Sequence, residues 1–246
     1  MPPHPLDARI EEIRAQEGRS WGVGDALLAV LVVPLLATVV AGLVDLGLPV
    51  PDAVTLLVAS VALCGLAVLA GRRAAAQSGG WEAALGLDLP EWRDAWRVVG
   101  WTVALALSMV AAVGLLLLLV PPLRDAEPES NVGIVAGQPL WTLLLTAVAA
   151  VTIAPVVEEL LFRGIALRGF MLRLGFWPAA VVSTAFFAVL HVQRLAAGSV
   201  IVVVAIGVLG LGLCVLARRT GRLGPGIGVH ALYNAVVFAW AVIALD

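Results

Sequence analysis

Long apolar runs set the strongest limit on how this chain can fold. They cover approximately residues 24–44, 53–71, 97–120, 140–162, 177–193, 198–217 and 225–244. A helix needs about 20 apolar residues to cross a hydrocarbon core of roughly 30 Å. Only a helix or a closed barrel satisfies its own backbone polar groups in lipid. The sequence therefore predicts an all-α, polytopic transmembrane bundle of about seven spans.

The composition agrees with a membrane protein and argues against a nucleic-acid-binding one. Hydrophobic residues make up 61% of the 246 residues and charged residues 13%, whereas soluble domains are nearer 45–50% and 25%. The net charge of −2 gives no basic surface for nucleic acid. Cys64 and Cys214 lie inside apolar runs, so we expect free thiols.

The arginines predict the orientation. With the N-terminus in the cytoplasm, the outer segments hold only Arg124 and Arg194 of the 15 basic residues, as the positive-inside rule favours. Seven spans then place the C-terminus outside. We expect residues 1–20 to form a cytoplasmic segment with a short helix, 21–130 the N-terminal transmembrane helices and an acidic outer loop, and 131–246 a C-terminal transmembrane core.

Ionisable side chains inside three of the runs are the main functional signal, because each costs roughly 2.5–3.5 kcal/mol at membrane depth and such residues are usually functional. Glu158 and Glu159 end the fourth run, and Arg163 follows. Glu159 and Arg163 are four residues apart and share a helix face, so we expect an ion pair. Glu158 points elsewhere and is free to act as a general base.

The two remaining runs each carry a histidine. His191 closes the fifth run, one helical turn after Phe187. His230 and Asn234 are four apart in the last run, so they share a face and could stabilise an oxyanion together. Pro155 predicts a kink that either admits water to the carboxylates or serves packing alone.

Simple span boundaries set Glu158 and His191 at different depths. Glu158 lies near the inner end of the fourth run and His191 near the outer end of the fifth. They can meet if both runs extend beyond the inner face, with 163–175 continuing as helix. We predict this arrangement. For the glycine-rich stretch 207–212 in the sixth run, we expect close helix packing.

Motifs of other intramembrane proteases are absent or misplaced. Gly22-Val-Gly24-Asp25 matches the GxGD string of aspartyl proteases, but Asp25 stands where a helix N-terminal residue is expected. The sequence contains neither an HExxH zincin motif nor a GxSxG-type serine.

The ordered trio Glu158-Glu159-x-x-x-Arg163, Phe187-x-x-x-His191 and His230-x-x-x-Asn234 resembles the CPBP family (CAAX protease and bacteriocin-processing, also called Abi). This family of intramembrane proteases includes the Rce1 prenyl-protein endopeptidases. The resemblance covers about residues 140–240, and it implies that 131–246 is the catalytic core.

The resemblance implies that Glu158 and His191 activate the attacking water, and that His230 and Asn234 bind the oxyanion. Glu159, Arg163 and Phe187 would support the site. Family members are commonly labelled metalloproteases. The cofactor therefore stays open between zinc, held by Glu158, His191 and His230, and none.

The sequence thus predicts an integral membrane endopeptidase that acts on a membrane-associated peptide or protein. One alternative is a non-catalytic scaffold or bacteriocin self-immunity protein of the same fold; another is a transporter or proton relay. We expect a multi-pass protein of a prokaryotic plasma membrane, surrounded by lipid, with no nucleic-acid partner. Prenylation of the substrate and the oligomeric state stay open.

Overall fold

The computed structural model of the chain describes residues 3–16, 18, 21–47, 52–126, 139–192 and 196–245. These residues form helices and no strand. We number the helices α1 (Pro5–Arg14), α2 (23–47), α3 (Asp52–Gln77), α4 (Trp81–Leu85), α5 (Trp92–Leu119), α6 (Leu140–Met171), α7 (Phe176–Val189), α8 (Gly198–Thr220) and α9 (Gly224–Leu245). A 3₁₀ turn, Pro121–Asp125, follows α5.

Six of these helices, α2, α3, α5, α6, α8 and α9, are long and apolar enough to cross a membrane. The chain is therefore a multi-pass integral membrane protein, and the all-α expectation is confirmed. The fifth predicted span, 177–193, is shorter in the structure than the sequence indicates. Its helix α7 has 14 residues, about 21 Å at 1.5 Å per residue, so it is shorter than the hydrocarbon core. The expected seven spans are six long helices and one short one.

Helix α6 is the longest element and carries the acidic pair. Its 32 residues span about 48 Å, more than the hydrocarbon core is thick. The helix continues past Arg163, as expected, but it ends at Met171 and not at the predicted residue 175. A turn at Leu172–Gly175 leads into α7. It contains two π-helical turns, Val148–Ile153 and Leu160–Ala166. Such turns are rare and often occur at functional sites.

The polar N-terminal segment forms the short helix expected for it. Helix α1 buries Leu6, Ile10 and Ile13. Its Asp7 carboxylate accepts two hydrogen bonds from the Arg218 side chain, at 2.8 and 3.0 Å to Oδ2. The helix is therefore docked on the end of α8. That this end faces the cytoplasm stays a prediction.

Two lesser expectations are also confirmed. The Asp25 carboxylate accepts a hydrogen bond of 2.8 Å from the Gly22 backbone N–H, which makes it a capping residue of the first turn of α2. Cys64 and Cys214 are both free thiols.

Candidate active site

Glu159 and Arg163 form the buried ion pair that their spacing predicts. Arg163 Nη1 donates to Glu159 Oε1 at 2.9 Å, and the two side chains are 0% and 1% exposed. Arg163 Nη2 donates to the Gly210 carbonyl of α8 at 3.1 Å. The guanidinium carbon also lies 4.4 Å from the centre of the Phe187 ring, a cation–π distance. Arg163, on α6, therefore contacts both α7 and α8.

Glycines allow two helices to approach this pair closely. A Cβ at Gly210 would lie 3.1 Å from Phe187 and 3.3 Å from Arg163 Nη2, and a Cβ at Gly226 would lie 3.1 Å from Glu159 Oε2. The glycine-rich stretch in α8 thus serves close packing, as expected. Gly210 in addition supplies a carbonyl acceptor to the site, which the sequence did not indicate.

His230 is held by the same carboxylate. Its Nδ1 lies 3.1 Å from Glu159 Oε1, and the imidazole is buried. Glu159 Oε1 also accepts from Arg163 Nη1, and a carboxylate in an ion pair only accepts hydrogen bonds. The proton of this contact is therefore on His230 Nδ1. The other ring nitrogen, Nε2, lies 3.7 Å from Glu158 Oε2.

His191 is oriented in the same way by a backbone carbonyl. Its Nδ1 donates to the Phe187 carbonyl at 2.7 Å, since a carbonyl oxygen can only accept. Its Nε2 then points toward Glu158, 3.9 Å from Oε2. The Phe187 ring makes edge contacts with both imidazoles, with centroid distances of 4.6 Å to His191 and 5.9 Å to His230. Phe187 therefore fixes both rings relative to α7.

Three hydrogen-bond acceptors thus face one another at the centre of the bundle. In neutral imidazoles whose Nδ1 carries the proton, both Nε2 atoms are acceptors. Glu158 Oε2 is itself buried, and no described residue donates a hydrogen bond to it. Buried acceptors normally find a donor. The geometry suits a group that donates hydrogens in more than one direction, and a water molecule has this property.

Asn234 lies one turn beyond His230 and faces the same space. Its Nδ2 donates to the Ala150 carbonyl of α6 at 2.8 Å, which leaves the second Nδ2 hydrogen available. A cavity of about 270 Å³, which we call the histidine cavity, contains all four expected site residues. It is lined by Glu158, His191, His230 and Asn234, with Leu56, Ser60, Thr146, Tyr233 and others around them.

A second cavity of about 370 Å³, the side cavity, lies between α2, α3, α6 and the end of α7. The two cavities share Leu56, Ser60, Ala154, Glu158 and His191. Glu158 and His191 therefore stand where the cavities meet. Leu56 and Ser60 belong to α3, a helix in which the sequence showed no motif.

The three converging atoms are of kinds that bind zinc, but their spacing does not fit it. Ligand atoms about 2.0–2.1 Å from a tetrahedral zinc lie roughly 3.3 Å from one another. Glu158 Oε2 lies 3.7 and 3.9 Å from the two Nε2 atoms. Among the described residues no group of three or more His, Cys, Asp or Glu has a metal-binding arrangement.

Comparison with known proteins gives one match, to a family model that covers the C-terminal part of the chain. Residues 139–236 match the family model described as "Type II CAAX prenyl endopeptidase Rce1-like". The match includes Glu158, His191, His230 and Asn234. No curated protein and no solved structure matches the chain.

Proposed function

From the match of residues 139–236 to the model of the Rce1-like family of type II CAAX prenyl endopeptidases, we propose that the protein is an integral membrane endopeptidase. In this proposal, Glu158 is the general base that activates water. One observation carries it: the buried, unpaired Glu158 Oε2 faces the Nε2 atoms of His191 and His230. A carboxylate and an imidazole that both accept hydrogen bonds can hold a water molecule for attack.

In the first step, water donates one hydrogen to Glu158 Oε2 and the other to His191 Nε2. Its oxygen attacks the carbonyl carbon of the scissile peptide bond as Glu158 takes the proton. A C–O bond forms, and the carbonyl electrons move onto oxygen. In the second step, the tetrahedral intermediate collapses, the C–N bond breaks, and Glu158 gives its proton to the leaving nitrogen.

The negative oxygen of the intermediate needs donors, which His230 and Asn234 supply in this proposal. Asn234 retains one free Nδ2 hydrogen. His230 donates from Nε2 only after it has taken a second proton from solvent, before the attack, because its Nδ1 proton is held by Glu159. In that state Glu158 and His191 alone accept hydrogen bonds from the attacking water. The ionised Glu159 carboxylate stabilises that imidazolium. Donors directed at a developing oxyanion in a site removed from water contribute strongly to rate.

The side cavity supports a substrate that carries an apolar group. Its lining comes mainly from apolar residues of α2, α3 and α6, and it meets the histidine cavity at Glu158. A lipidated or strongly apolar peptide could place its scissile bond at Glu158 and its apolar part beside α3. Such a substrate would reach the site from the membrane, and a prenylated peptide, the substrate class named for the matched family, has this apolar character.

The test is a cleavage assay on the purified full-length protein in detergent. Two internally quenched peptides with identical sequence are used, one with a C-terminal CAAX farnesyl group and one without. We expect cleavage by the wild type and none by Glu158→Gln, which keeps the shape of the side chain and removes its basicity. Glu11→Gln, at an exposed position of α1, should cleave like the wild type. Wild-type protein that cleaves neither peptide, or unchanged activity in Glu158→Gln, would contradict the proposal.

A further inference from the structure

At the end of the first π-helical turn of α6, the Ala150 carbonyl lacks the donor that the π register would give it. In this turn, Val148–Ile153, the Ala154 N–H donates to the Ala149 carbonyl five residues earlier. The next donor in the same register would be residue 155, directed at the Ala150 carbonyl. Residue 155 is a proline, and proline has no backbone N–H.

Asn234 supplies the missing donor from another helix. Its Nδ2 lies 2.8 Å from the Ala150 oxygen, although the two residues are 84 positions apart. Backbone carbonyls inside a membrane-spanning segment have no water to donate to them and need a donor from the protein, so this hydrogen bond is strongly favoured. It also sets the orientation of the amide: turning the side chain over would place Oδ1, an acceptor, against the Ala150 oxygen.

We propose that Pro155 is a positioning residue, which withholds a backbone N–H so that the Ala150 carbonyl holds the Asn234 amide with its second N–H directed at the oxyanion. The inference rests on the proposed function, because it assigns Asn234 the role of oxyanion donor. A role for Pro155 as a packing kink alone would not depend on whether residue 155 carries an N–H.

A pair of variants separates the missing N–H from the proline ring. Pro155→Ala removes the ring and restores the N–H. Lactic acid introduced at position 155 by nonsense suppression removes the ring, and its ester linkage has no N–H. We expect kcat to fall at least about tenfold in Pro155→Ala, with little change in KM. The loss should not exceed the roughly 10²–10³-fold that removal of an oxyanion donor typically causes. The lactic acid variant should keep nearly wild-type kcat. Equal activity in the two variants would overturn the inference.

A double-mutant cycle identifies the residue through which Pro155 acts. If the N–H at 155 acts by displacing Asn234, then adding Pro155→Ala to Asn234→Ala should cause no further loss of kcat. If Pro155→Ala instead shifts Glu158 along α6, the two losses should multiply, and the proposed route through Asn234 would be wrong.

A spectroscopic measurement tests the same bond without any cleavage. The sequence contains two asparagines, Asn131 and Asn234, so asparagine-selective ¹⁵N labelling gives two side-chain NH₂ signals. The Asn234→Ala variant identifies the signal of Asn234. We expect that signal to shift upfield in Pro155→Ala, as its hydrogen bond is lost, and to stay in place in the lactic acid variant. An unmoved signal in Pro155→Ala would overturn the inference even if the wild type cleaves peptides.

Failure of the proposed function has a different signature. A wild type that cleaves nothing would remove the catalytic role, while the Asn234 signal would still report whether Pro155 controls the amide. If Pro155→Ala does not accumulate, the α-hydroxy acid analogue of valine at position 151 tests the same contact. It turns the Ala150 carbonyl into an ester, a weaker acceptor, so the Asn234 signal should shift upfield; an unmoved signal would again overturn the inference.

Discussion

His230 Nδ1 lies 3.1 Å from Glu159 Oε1, and this buried contact gives the two adjacent glutamates different surroundings. Glu159 holds His230 and Arg163 in place, whereas Glu158 faces the Nε2 atoms of both histidines. Adjacent residues on a helix point about 100° apart. The helix geometry therefore gives one carboxylate a structural contact and leaves the other free for chemistry.

The histidine tautomers follow from these contacts. Both His191 and His230 should carry their neutral-state proton on Nδ1, because each Nδ1 faces an acceptor. The chain has three histidines, so histidine-selective ¹⁵N labelling gives few signals, and His191→Gln and His230→Gln assign them. The exposed His4 serves as the reference. A neutral His191 or His230 protonated on Nε2 would contradict the arrangement.

Glu159→Gln should destabilise the protein strongly. The change leaves the buried Arg163 guanidinium without its charged partner, and breaking such a pair costs roughly 3–5 kcal/mol. The measurement is thermal unfolding in detergent. Glu12→Gln breaks the exposed pair with Arg9 and should change stability by less than about 1 kcal/mol. Equal shifts in the two variants would remove the structural role of Glu159.

Two glycines of α8 provide a matched test of the packing around Arg163. A Cβ at Gly210 would lie 3.0 Å from Thr184 and 3.1 Å from Phe187, whereas one at Gly207 would meet nothing within 4 Å. Gly210→Ala should therefore lower both the unfolding temperature and the cleavage rate. Gly207→Ala should be neutral or stabilising, since alanine is favoured over glycine in helices by up to about 1 kcal/mol. Similar behaviour of the two variants would show that α8 can move away from α7 without cost.

Ser60 should control access to Glu158, because it lines both cavities where they meet. Ser60→Phe should reduce kcat/KM by at least about tenfold, since the larger side chain fills the space between them. The neighbouring Val61 is 58% exposed on the outer face of α3, and Val61→Phe should leave cleavage unchanged. Full activity of Ser60→Phe would show that the substrate does not pass this point.

Removal of metal ions should leave activity intact. The distances from Glu158 Oε2 to the two Nε2 atoms exceed those of a tetrahedral zinc site by about half an ångström, and the proposed steps use protein groups alone. The measurement is cleavage after treatment with EDTA or 1,10-phenanthroline, together with elemental analysis of the purified protein. Activity lost on chelation and restored by zinc would make Glu158, His191 and His230 metal ligands.

Much of the candidate site could be predicted from the sequence because the spacing of residues along a helix determines which side chains share a face. Residues four apart on one helix share a face, so the Glu159–Arg163 pair and the shared face of His230 and Asn234 followed without coordinates. The proximity of Glu158 and His191 could be predicted only with the further assumption that α6 is longer than the bilayer is thick. The structure has that extension in a helix that ends at Met171.

Contacts made by backbone atoms and by distant helices could not be predicted. The glycine-rich stretch of α8 indicates close packing, but it does not show that the Gly210 carbonyl accepts from Arg163. The Ala150 carbonyl accepts from Asn234 beside a π-helical turn, and no residue pattern indicates that turn. Leu56 and Ser60 reach the cavities from α3, whose sequence has no polar motif. The length of α7 was also overestimated, because hydropathy does not show where a helix ends within an apolar run.

The most direct test of the account is a cleavage reaction in H₂¹⁸O with wild-type protein and Glu158→Gln. If Glu158 activates water as a base, the new C-terminal carboxylate of the product should contain one heavy oxygen, the Glu158 peptide of the enzyme should contain none, and Glu158→Gln should form no product. Heavy oxygen in the Glu158 side chain after a single turnover would instead indicate a covalent intermediate, and normal product formation by Glu158→Gln would contradict the account.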